Sequence, residues 1–283
     1  MKKILLIMLV IATVVIAACG SKTDNTNSKI AAGTLEGIKE RGKLIAGVKY
    51  DVNLFGLKDP KSGEIQGYEV DLMQELAKHI FGEDKEINDI LELKQVSSKT
   101  RMELATNGEI DLAAANASST EEREKIVDFS DSYFLAGQSL LVPKGSDIKS
   151  IDDLNAKTTV IAIKGSTSEK TINDSAPDAK VLLFDDNAQA FSALKSGKGD
   201  TLINDNAILI GMQEQDENFE LTGGLISNEP YRMIFSPEND EFREYVNDFL
   251  QELKDSGKLA EIHEKWFGEA PPEDIIQENP YLQ

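Results

Sequence analysis

The amino-acid sequence predicts an α/β protein built of two similar lobes. A first observation is an internal echo, in which Gly108-x-x-Asp111 and Gly197-x-x-Asp200 each follow a helical segment and precede a short apolar run. In both copies a polar residue, Asn116 or Asp205, lies five positions after the aspartate. A second observation is the alternation of apolar runs with helical spacing, which favours helix–turn–strand units in mainly parallel sheets. Chance recurrence of a common Gly-x-x-Asp turn is the alternative, and these residues alone leave it open.

The composition is typical of a soluble globular protein and restricts its partners. The 283 residues suffice for two domains of ordinary size. A formal net charge of -20 disfavours nucleic-acid binding, which needs a basic face. The same charge disfavours electrostatic attachment to anionic lipid. We therefore expect no nucleic-acid partner, and any membrane link should be covalent.

Residues 1–18 are predicted to be a signal peptide that is removed. Met1–Lys3 gives a positive start, and the apolar run Ile4–Ala18 is shorter than the roughly 20 residues that a membrane span needs. Cys19, the only cysteine, follows small residues and resembles the lipidated cysteine of a bacterial lipobox. An ordinary cleaved signal with an incidental cysteine is the alternative. Residues 19–33 are expected to form a lipidated, flexible tether, which would anchor the protein outside the cytoplasm to the cell membrane.

The first part of the chain alternates between predicted helices and strands. In its most regular segment, Val70, Met73, Leu76, Ala77 and Ile80 are spaced as on one face of a helix. The predicted elements are helix Thr34–Arg41, strand Lys43–Val48, a hairpin at Gly56–Gly63, helix Tyr68–Ile80, strand Leu91–Val96, helix Lys99–Thr106 and strand Leu112–Ala115.

A polar turn after this last strand is predicted to lead into another helix. Ser118-x-x-Glu121 and Ser119-x-x-Glu122 both have capping-box spacing. Unpaired N–H groups at a helix start, followed by the guanidinium of Arg123, would bind a carboxylate. A capped surface helix whose Arg123 pairs with neighbouring acids is the alternative.

The second part of the chain repeats the alternation and ends in two amphipathic helices. A hydroxyl-rich turn at Lys164–Glu169 follows one strand, and Ala270–Gln283, with three prolines, is expected to be a loosely attached tail. The aromatic side chains of the last two helices, Trp266 included, are predicted to be core. The predicted elements are a crossing strand Leu140–Pro143, strands Thr158–Ile163 and Val181–Phe184, helix Ala188–Lys195, strand Met233–Phe235, and helices Glu241–Ser256 and Leu259–Phe267.

No catalytic or metal-binding motif emerges from the residues. His79 and His263, the only histidines, sit singly on predicted helices, without a second His or a Cys at ligand spacing. The body after Cys19 lacks cysteine, which leaves no disulfide and no Cys-based metal site. We expect neither metal nor cofactor, and binding rather than catalysis.

Taken together, these segments resemble the extracellular solute-binding proteins of polar-amino-acid ABC importers. The resemblance spans roughly residues 34–268. It implies a type II periplasmic-binding-protein fold, with two lobes of mainly parallel sheets joined by two crossover hinge strands. Lobe 1 would comprise residues 34–138 and 230–268, lobe 2 residues 139–229, and the tail residues 269–283. The matching segments are Lys43–Asp51, Gly67–Leu72, Gly108–Asp111, Thr120–Arg123, Val127–Ser130, Leu194–Gly197 with Asp205, and Lys265–Gly268.

The resemblance also implies a set of ligand-binding residues. Arg123 matches the arginine that binds the ligand α-carboxylate, and Asp205 matches the acid that receives the α-ammonium. Lys49 and Arg101 take positions that, in acidic-amino-acid binders, meet the side-chain carboxylate; plain surface charge is the alternative for this pair. The other implied residues are two in the first turn, three in the second-lobe turn and two pocket aromatics: Asn116, Ser118, Gly165, Ser166, Thr167, Phe55 and Tyr68.

The resemblance favours glutamate or aspartate as the ligand, captured by lobe closure and delivered to a membrane permease by a monomeric receptor. A closed cleft must compensate both carboxylates and the ammonium of such a ligand. Asn116, Ala117 and Ser119 depart from the residues usual in acidic-amino-acid binders, so glutamine or another polar amino acid stays open. A cyclohexadienyl dehydratase-like enzyme, a sensor domain and an adhesin on the same fold are alternatives from other classes.

Overall fold

The computed structural model describes residues 33–281. The predicted signal peptide, Cys19 and all but the last residue of the predicted tether lie outside this range. Between residues 33 and 281, no helix combines the length and the apolar character needed to cross a membrane. The elements in chain order are α1 (Leu35–Arg41), β1 (Leu44–Val48), β2 (Asp51–Val52), β3 (Gly56–Lys58), β4 (Ile65–Gln66), α2 (Tyr68–Phe81), α3 (Ile87–Ile90), β5 (Leu91–Gln95), α4 (Arg101–Thr106), β6 (Leu112–Ala114), β7 (Asp128–Ala136), β8 (Gln138–Pro143), β9 (Thr159–Ile163), α5 (Thr167–Ser175), β10 (Lys180–Phe184), α6 (Asn187–Lys195), β11 (Thr201–Asp205), α7 (Asn206–Gln215), β12 (Phe219–Thr222), β13 (Glu229–Phe235), α8 (Asp240–Asp255) and α9 (Lys258–Phe267).

Two five-stranded sheets organise the chain into two lobes. The first lobe contains the sheet β5-β1-β6-β13-β7, and the second contains β10-β9-β11-β8-β12. In each sheet three strands are parallel neighbours, β5-β1-β6 in one and β10-β9-β11 in the other. The remaining strands pair antiparallel, so both sheets are mixed. The predicted two-lobed α/β fold is confirmed, and the two copies of the internal echo lead into the equivalent strands β6 and β11.

The chain crosses between the lobes twice. It leaves β7 for β8 through Gly137 and returns from β12 to β13 through residues 223–228. The two crossings contact each other, because the Ile226 backbone N–H donates to the Gln138 carbonyl at 2.7 Å. A Cβ added at Gly137 would lie 2.3 Å from the Ser227 carbonyl oxygen. Only glycine fits this close approach without displacing backbone.

The helices cover the sheets with the apolar faces that their spacing predicts. On α2, the side chains of Val70, Met73, Leu76 and Ala77 are all buried. The long C-terminal helix α8 likewise buries a full apolar stripe against the first lobe: Phe242, Val246, Phe249, Leu250 and Leu253. Burial of such stripes is the main source of helix stability in a globular protein.

Two predicted features are wrong. No helix begins at Ser118; residues 121–126 form consecutive turns, and Ser118 makes an isolated bridge to Tyr231 of β13. Packing against β13 keeps the segment extended and overrides its local capping signal. The tail is also not loosely attached, because the Ser132 N–H donates to the Gln277 carbonyl at 2.9 Å and Ile275 is buried.

An arginine of β13 fixes the tail more firmly. Arg232 is buried and donates to the carbonyls of Gln277 at 2.7 Å and Glu278 at 2.9 Å. Its third acceptor is the carbonyl of Ser130 in β7. These contacts hold the tail along the first lobe.

Candidate functional site

A polar cavity lies between the two lobes. Polar and charged side chains make up most of its wall, and both lobes contribute. The lining residues are Lys49, Ser98, Arg101, Asn116, Ser118 and Arg123 from the first lobe, and Ile163, Ser166, Thr167, Ser168, Asn187, Asn204, Asp205 and Ile208 from the second. A lining of this kind suits a small polar molecule.

Parallel strand ends place the first-lobe residues. Lys49 directly follows β1, and Asn116 lies two residues after β6, its neighbour in the sheet. The carboxyl ends of parallel strands are the usual ligand-binding edge of an open α/β sheet. Asn116 has a φ of 52°, in the left-handed region that asparagine tolerates better than most residues. Its side-chain amide is buried without a hydrogen-bond partner among residues 33–281.

Lys49 and Arg101 form a buried cationic end of the cavity. The Lys49 ammonium lies 3.2 Å from the Ser98 hydroxyl oxygen. Arg101 is 2 % exposed and donates from one nitrogen to the carbonyls of Ala115 at 2.5 Å and Asn116 at 2.7 Å. Burial lowers the pKa of Lys49 to about 8 and the pKa of Arg101 to about 9.

Arg123 connects the two lobes at the cavity. Its guanidinium donates to the Ser118 carbonyl of its own turn at 2.7 Å and to the Gly165 carbonyl of the second lobe at 3.0 Å. Burial lowers the pKa of Arg123, with Glu229 and Asp205 opposing that effect. Arg123 is thus anchored at the lobe junction with its charge at the cavity wall.

Asp205, at the end of β11, faces the cavity from the second lobe. Its Oδ2 accepts a hydrogen bond from the Tyr231 hydroxyl of the first lobe at 2.7 Å, and its Oδ1 has no partner among the described residues. Burial raises the pKa of Asp205 to about 7; the charge of Glu229 adds to the effect, and the Tyr231 hydrogen bond opposes it. A buried carboxylate oxygen facing the cavity is suited to accept hydrogen bonds from a cation.

A second set of bonds between the lobes lies beside the cavity. Asp51 of the first lobe accepts from the backbone N–H of Asn187 at 2.7 Å and from its side-chain amide at 3.1 Å. The same Asn187 accepts from the Asn204 amide at 2.7 Å. Asn53 donates to the Gly211 carbonyl at 3.2 Å. The bonds of Asp51 and Asn53 join the two lobes, whereas the bond between Asn204 and Asn187 lies within the second lobe.

The structure brings most of the predicted site residues together. Eight line the cavity: Lys49, Arg101, Asn116, Ser118, Arg123, Ser166, Thr167 and Asp205. Gly165 lies at the same place, with its carbonyl accepting from Arg123.

Phe55 and Tyr68 lie elsewhere, in contrast to the prediction that they line the pocket. Both are fully buried, with ring centroids 5.0 Å and 5.7 Å from that of Phe134. The Tyr68 hydroxyl donates to the Tyr133 carbonyl at 2.7 Å, so its one polar atom is satisfied inside the lobe. These aromatics support the first lobe from behind the cavity wall.

Several lining residues were not predicted. Ser98 lies three residues before α4 and Ser168 is the second residue of α5, where hydroxyl residues usually mean only a helix start. Asn204 adjoins Asp205 in the internal echo, which is the one signal that indicates it. Asn187 and Ile208 carry no sequence signal, because only the folded chain brings α6 and α7 to the cavity.

The described part of the chain offers no group of three His, Cys, Asp or Glu side chains that could hold a metal ion. The chemistry of the cavity is that of paired charges and amide or hydroxyl hydrogen bonds. It suits a small zwitterion whose cation meets Asp205 and whose anion meets Arg123.

Comparison with known sequences identifies one family and two glutamine-binding relatives. The sequence model of the bacterial extracellular solute-binding proteins, family 3, matches residues 44–269. The chain is 46% identical to the ABC transporter glutamine-binding protein GlnH of Bacillus subtilis over 96% of this chain and 100% of the relative. It is 49% identical to the glutamine-binding protein of Geobacillus stearothermophilus, over 76% of this chain and 84% of that one.

A solved structure agrees with these sequence comparisons. An ancestral arginine-binding protein bound to glutamine has a TM-score of 0.74 and 37% identity to this chain. The similarity covers 81% of this chain and 99% of that one.

Proposed function

This chain belongs to the bacterial extracellular solute-binding proteins of family 3 and is an amino-acid-binding component of an ABC transporter, and we propose that its ligand is glutamine. The named ligand of both curated relatives supports this proposal. It replaces the glutamate or aspartate that Lys49 and Arg101 favoured in the sequence.

The balance of charge around the cavity is the observation that carries the proposal. Three cations line the wall: Lys49, Arg101 and Arg123. Six carboxylates on the wall or near it act on these cations: Asp51, Glu69, Asp186, Asp205, Glu229 and Glu122. The protein therefore neutralises its own cations. A net-neutral zwitterion such as glutamine needs no further compensation, whereas glutamate would bring an unpaired negative charge into a buried site.

We assign the polar ends of the ligand from the same geometry. Arg123 binds the α-carboxylate, assisted by Ser118 and by the backbone N–H of Thr167 at the start of α5. Asp205 accepts hydrogen bonds from the α-ammonium through its unpartnered Oδ1. The side-chain amide then reaches the end formed by Lys49, Ser98 and Arg101. Arg101 already donates to two backbone carbonyls, so it suits a neutral amide oxygen better than a second carboxylate.

Ligand-driven closure is the mechanism we propose for delivery. Groups from both lobes contact one ligand, so binding favours the closed arrangement by its differential affinity for that state. The crossings at Gly137 and residues 223–228 act as hinges. The closed monomer then docks on a membrane permease, and lipidated Cys19 with the tether to residue 33 keeps it nearby. Mass analysis of the mature N-terminus, with Cys19→Ser as control, tests the anchor.

Calorimetry on protein freed of bound ligand tests the choice of amino acid. Glutamine should bind more tightly than glutamate, aspartate, arginine or cystine, and should raise the melting temperature by mass action. Tighter binding of glutamate would overturn the assignment of glutamine. Absence of binding by every amino acid would overturn the receptor function. Prephenate and arogenate should give no product, which distinguishes the receptor from a dehydratase on the same fold.

A further inference from the structure

Glu69 is a buried carboxylate directly behind the cavity wall. It lies in the first turn of α2 and is 0 % exposed. Its Oε1 accepts from the backbone N–H of Asn116 at 2.6 Å and from the Tyr133 hydroxyl at 2.5 Å. Its Oε2 is buried without a partner in the described chain. A carboxylate in such a place is costly, so its retention calls for an explanation.

The Asn116 residue links this carboxylate to the cationic end of the cavity. Its N–H donates to Glu69, and its carbonyl accepts from Arg101 at 2.7 Å. The backbone of this residue therefore contacts an anion through its N–H and a cation through its carbonyl. Both the Asn116 side chain and Arg101 line the cavity.

The charged and titratable groups that face Glu69 come from four elements besides its own helix. Lys49 after β1 and Arg101 of α4 stabilise its charged form, as does the hydroxyl of Tyr133 on β7. The charge of Glu69 also contributes to the raised pKa values of Tyr231 of β13 and Tyr68 of α2. Burial outweighs these effects and raises the pKa of Glu69 to about 7.

We propose that Glu69 is a specificity-determining positioning residue, whose buried negative charge offsets Lys49 and Arg101 and so makes the site prefer a neutral amide to a second carboxylate. This inference rests on the proposed function, that the ligand is glutamine. Glutamine can form hydrogen bonds at the cationic end of the cavity whether or not that end carries a net positive charge. Glutamate would need a net positive charge there to compensate its side-chain carboxylate, but the negative charge of Glu69 already offsets that positive charge. Glu69 never touches the ligand and acts through Asn116 and Arg101.

Glu69→Gln separates the charge from the geometry. The glutamine amide oxygen can accept from Asn116 and Tyr133 as the carboxylate does, so the left-handed conformation of Asn116 keeps its support. Only the negative charge is lost. Exposed Glu83, just beyond the end of α2, provides the matched control Glu83→Gln.

Calorimetric titration with glutamine and with glutamate at pH 8 tests the inference. In Glu69→Gln the ratio of glutamate affinity to glutamine affinity should rise about tenfold relative to the native chain. Glu83→Gln should leave the ratio unchanged. A ratio in Glu69→Gln within twofold of the native value would overturn the inference.

The pH profile of the same ratio gives a readout that a merely structural role would not move. In the native chain the preference for glutamine should increase as pH rises through about 7, because Glu69 becomes charged there. Asp205 titrates in the same range, but it contacts the ammonium group that both ligands share. Its effect on the two affinities therefore cancels in their ratio. Glu69→Gln should lose this step and keep the change near pH 8 that comes from Lys49.

Tyr133→Phe is a second variant that keeps the charge of Glu69. It removes the hydroxyl that favours the charged carboxylate, so the step in preference should move to higher pH. A profile identical to the native one would contradict the inference, even if Glu69→Gln failed to fold. Failure of the proposed function looks different, because the native chain itself would then prefer glutamate or bind neither ligand.

Discussion

The contact between Asp51 and the start of α6 predicts that a residue outside the cavity controls ligand affinity. Asp51 Oδ2 accepts two hydrogen bonds from Asn187, one from its backbone and one from its side chain, across the junction of the lobes. Neither bond can persist when the lobes separate. Asp51 does not line the cavity, but its charge also acts on Lys49, so closure must be measured separately from affinity.

The size of the effect follows from these two bonds. Each hydrogen bond contributes about 0.5–1.5 kcal/mol net, and Asp51 is only half-buried, so about 1–2 kcal/mol of closed-state stability is at stake. Asp51→Ala should therefore weaken glutamine binding about 5–30-fold, because apparent affinity falls with the population of the closed state.

Calorimetry and small-angle X-ray scattering together measure this effect. Calorimetry gives the dissociation constant, and scattering shows whether the variant still becomes compact at saturating glutamine. Asp178→Ala, which removes an exposed aspartate of the second lobe, is the control. An Asp51→Ala dissociation constant within twofold of the native value would refute the reasoning that this contact stabilises closure.

Three further changes have defined outcomes. Arg123→Gln should weaken every amino-acid ligand at least about 100-fold in calorimetry, because a charge-assisted contact with the ligand is lost; a loss below tenfold would remove Arg123 from the ligand contacts. Ending the chain after Gly268 should lower the free energy of unfolding in urea by about 3 kcal/mol, because Ile275 loses its burial and Arg232 loses two acceptors; an unchanged urea midpoint would contradict the packed tail. The ligand-free protein should become more stable as pH falls from about 7 to about 5, because the raised pKa values of Glu69 and Asp205 make the folded state bind more protons than the unfolded state; Asp205→Asn should flatten that dependence, and a native urea midpoint that falls over this range would contradict it.

Local sequence patterns predicted the architecture because both lobes repeat one unit. The echo from Gly108 and Gly197 marks a helix, a turn and a central strand in each lobe, and its polar residues, Asn116 and Asp205, reach the cavity from opposite sides. The antiparallel strands were harder to predict. No element was predicted at β7, because its two serines and two aspartates give no regular alternation, although all four lie buried or half-buried in the folded chain.

The incorrect predictions share a physical cause, in which long-range contacts override a local signal. Ser118 has the spacing of a helix cap but is bridged to Tyr231, more than a hundred residues away. Phe55 and Tyr68 were expected at the ligand, yet their aromatic partners on β7 and α9 draw them into the lobe. Nothing in the sequence of the proline-rich tail indicates that the guanidinium of Arg232 binds the backbone carbonyls of the tail.

Arg232 and the tail also bear on how the protein behaves among copies of itself. Strand β7 ends its sheet, and the unpaired backbone of such a border strand is a template on which a neighbouring chain can extend the sheet. Residues 275–279 occupy part of that border, through the bonds of Ser132 with Ile275 and Gln277. The tail thereby protects this strand against pairing with a strand of another copy. Proteolytic loss of the last fifteen residues would then expose the molecule to aggregation even where its amino-acid pocket remained intact.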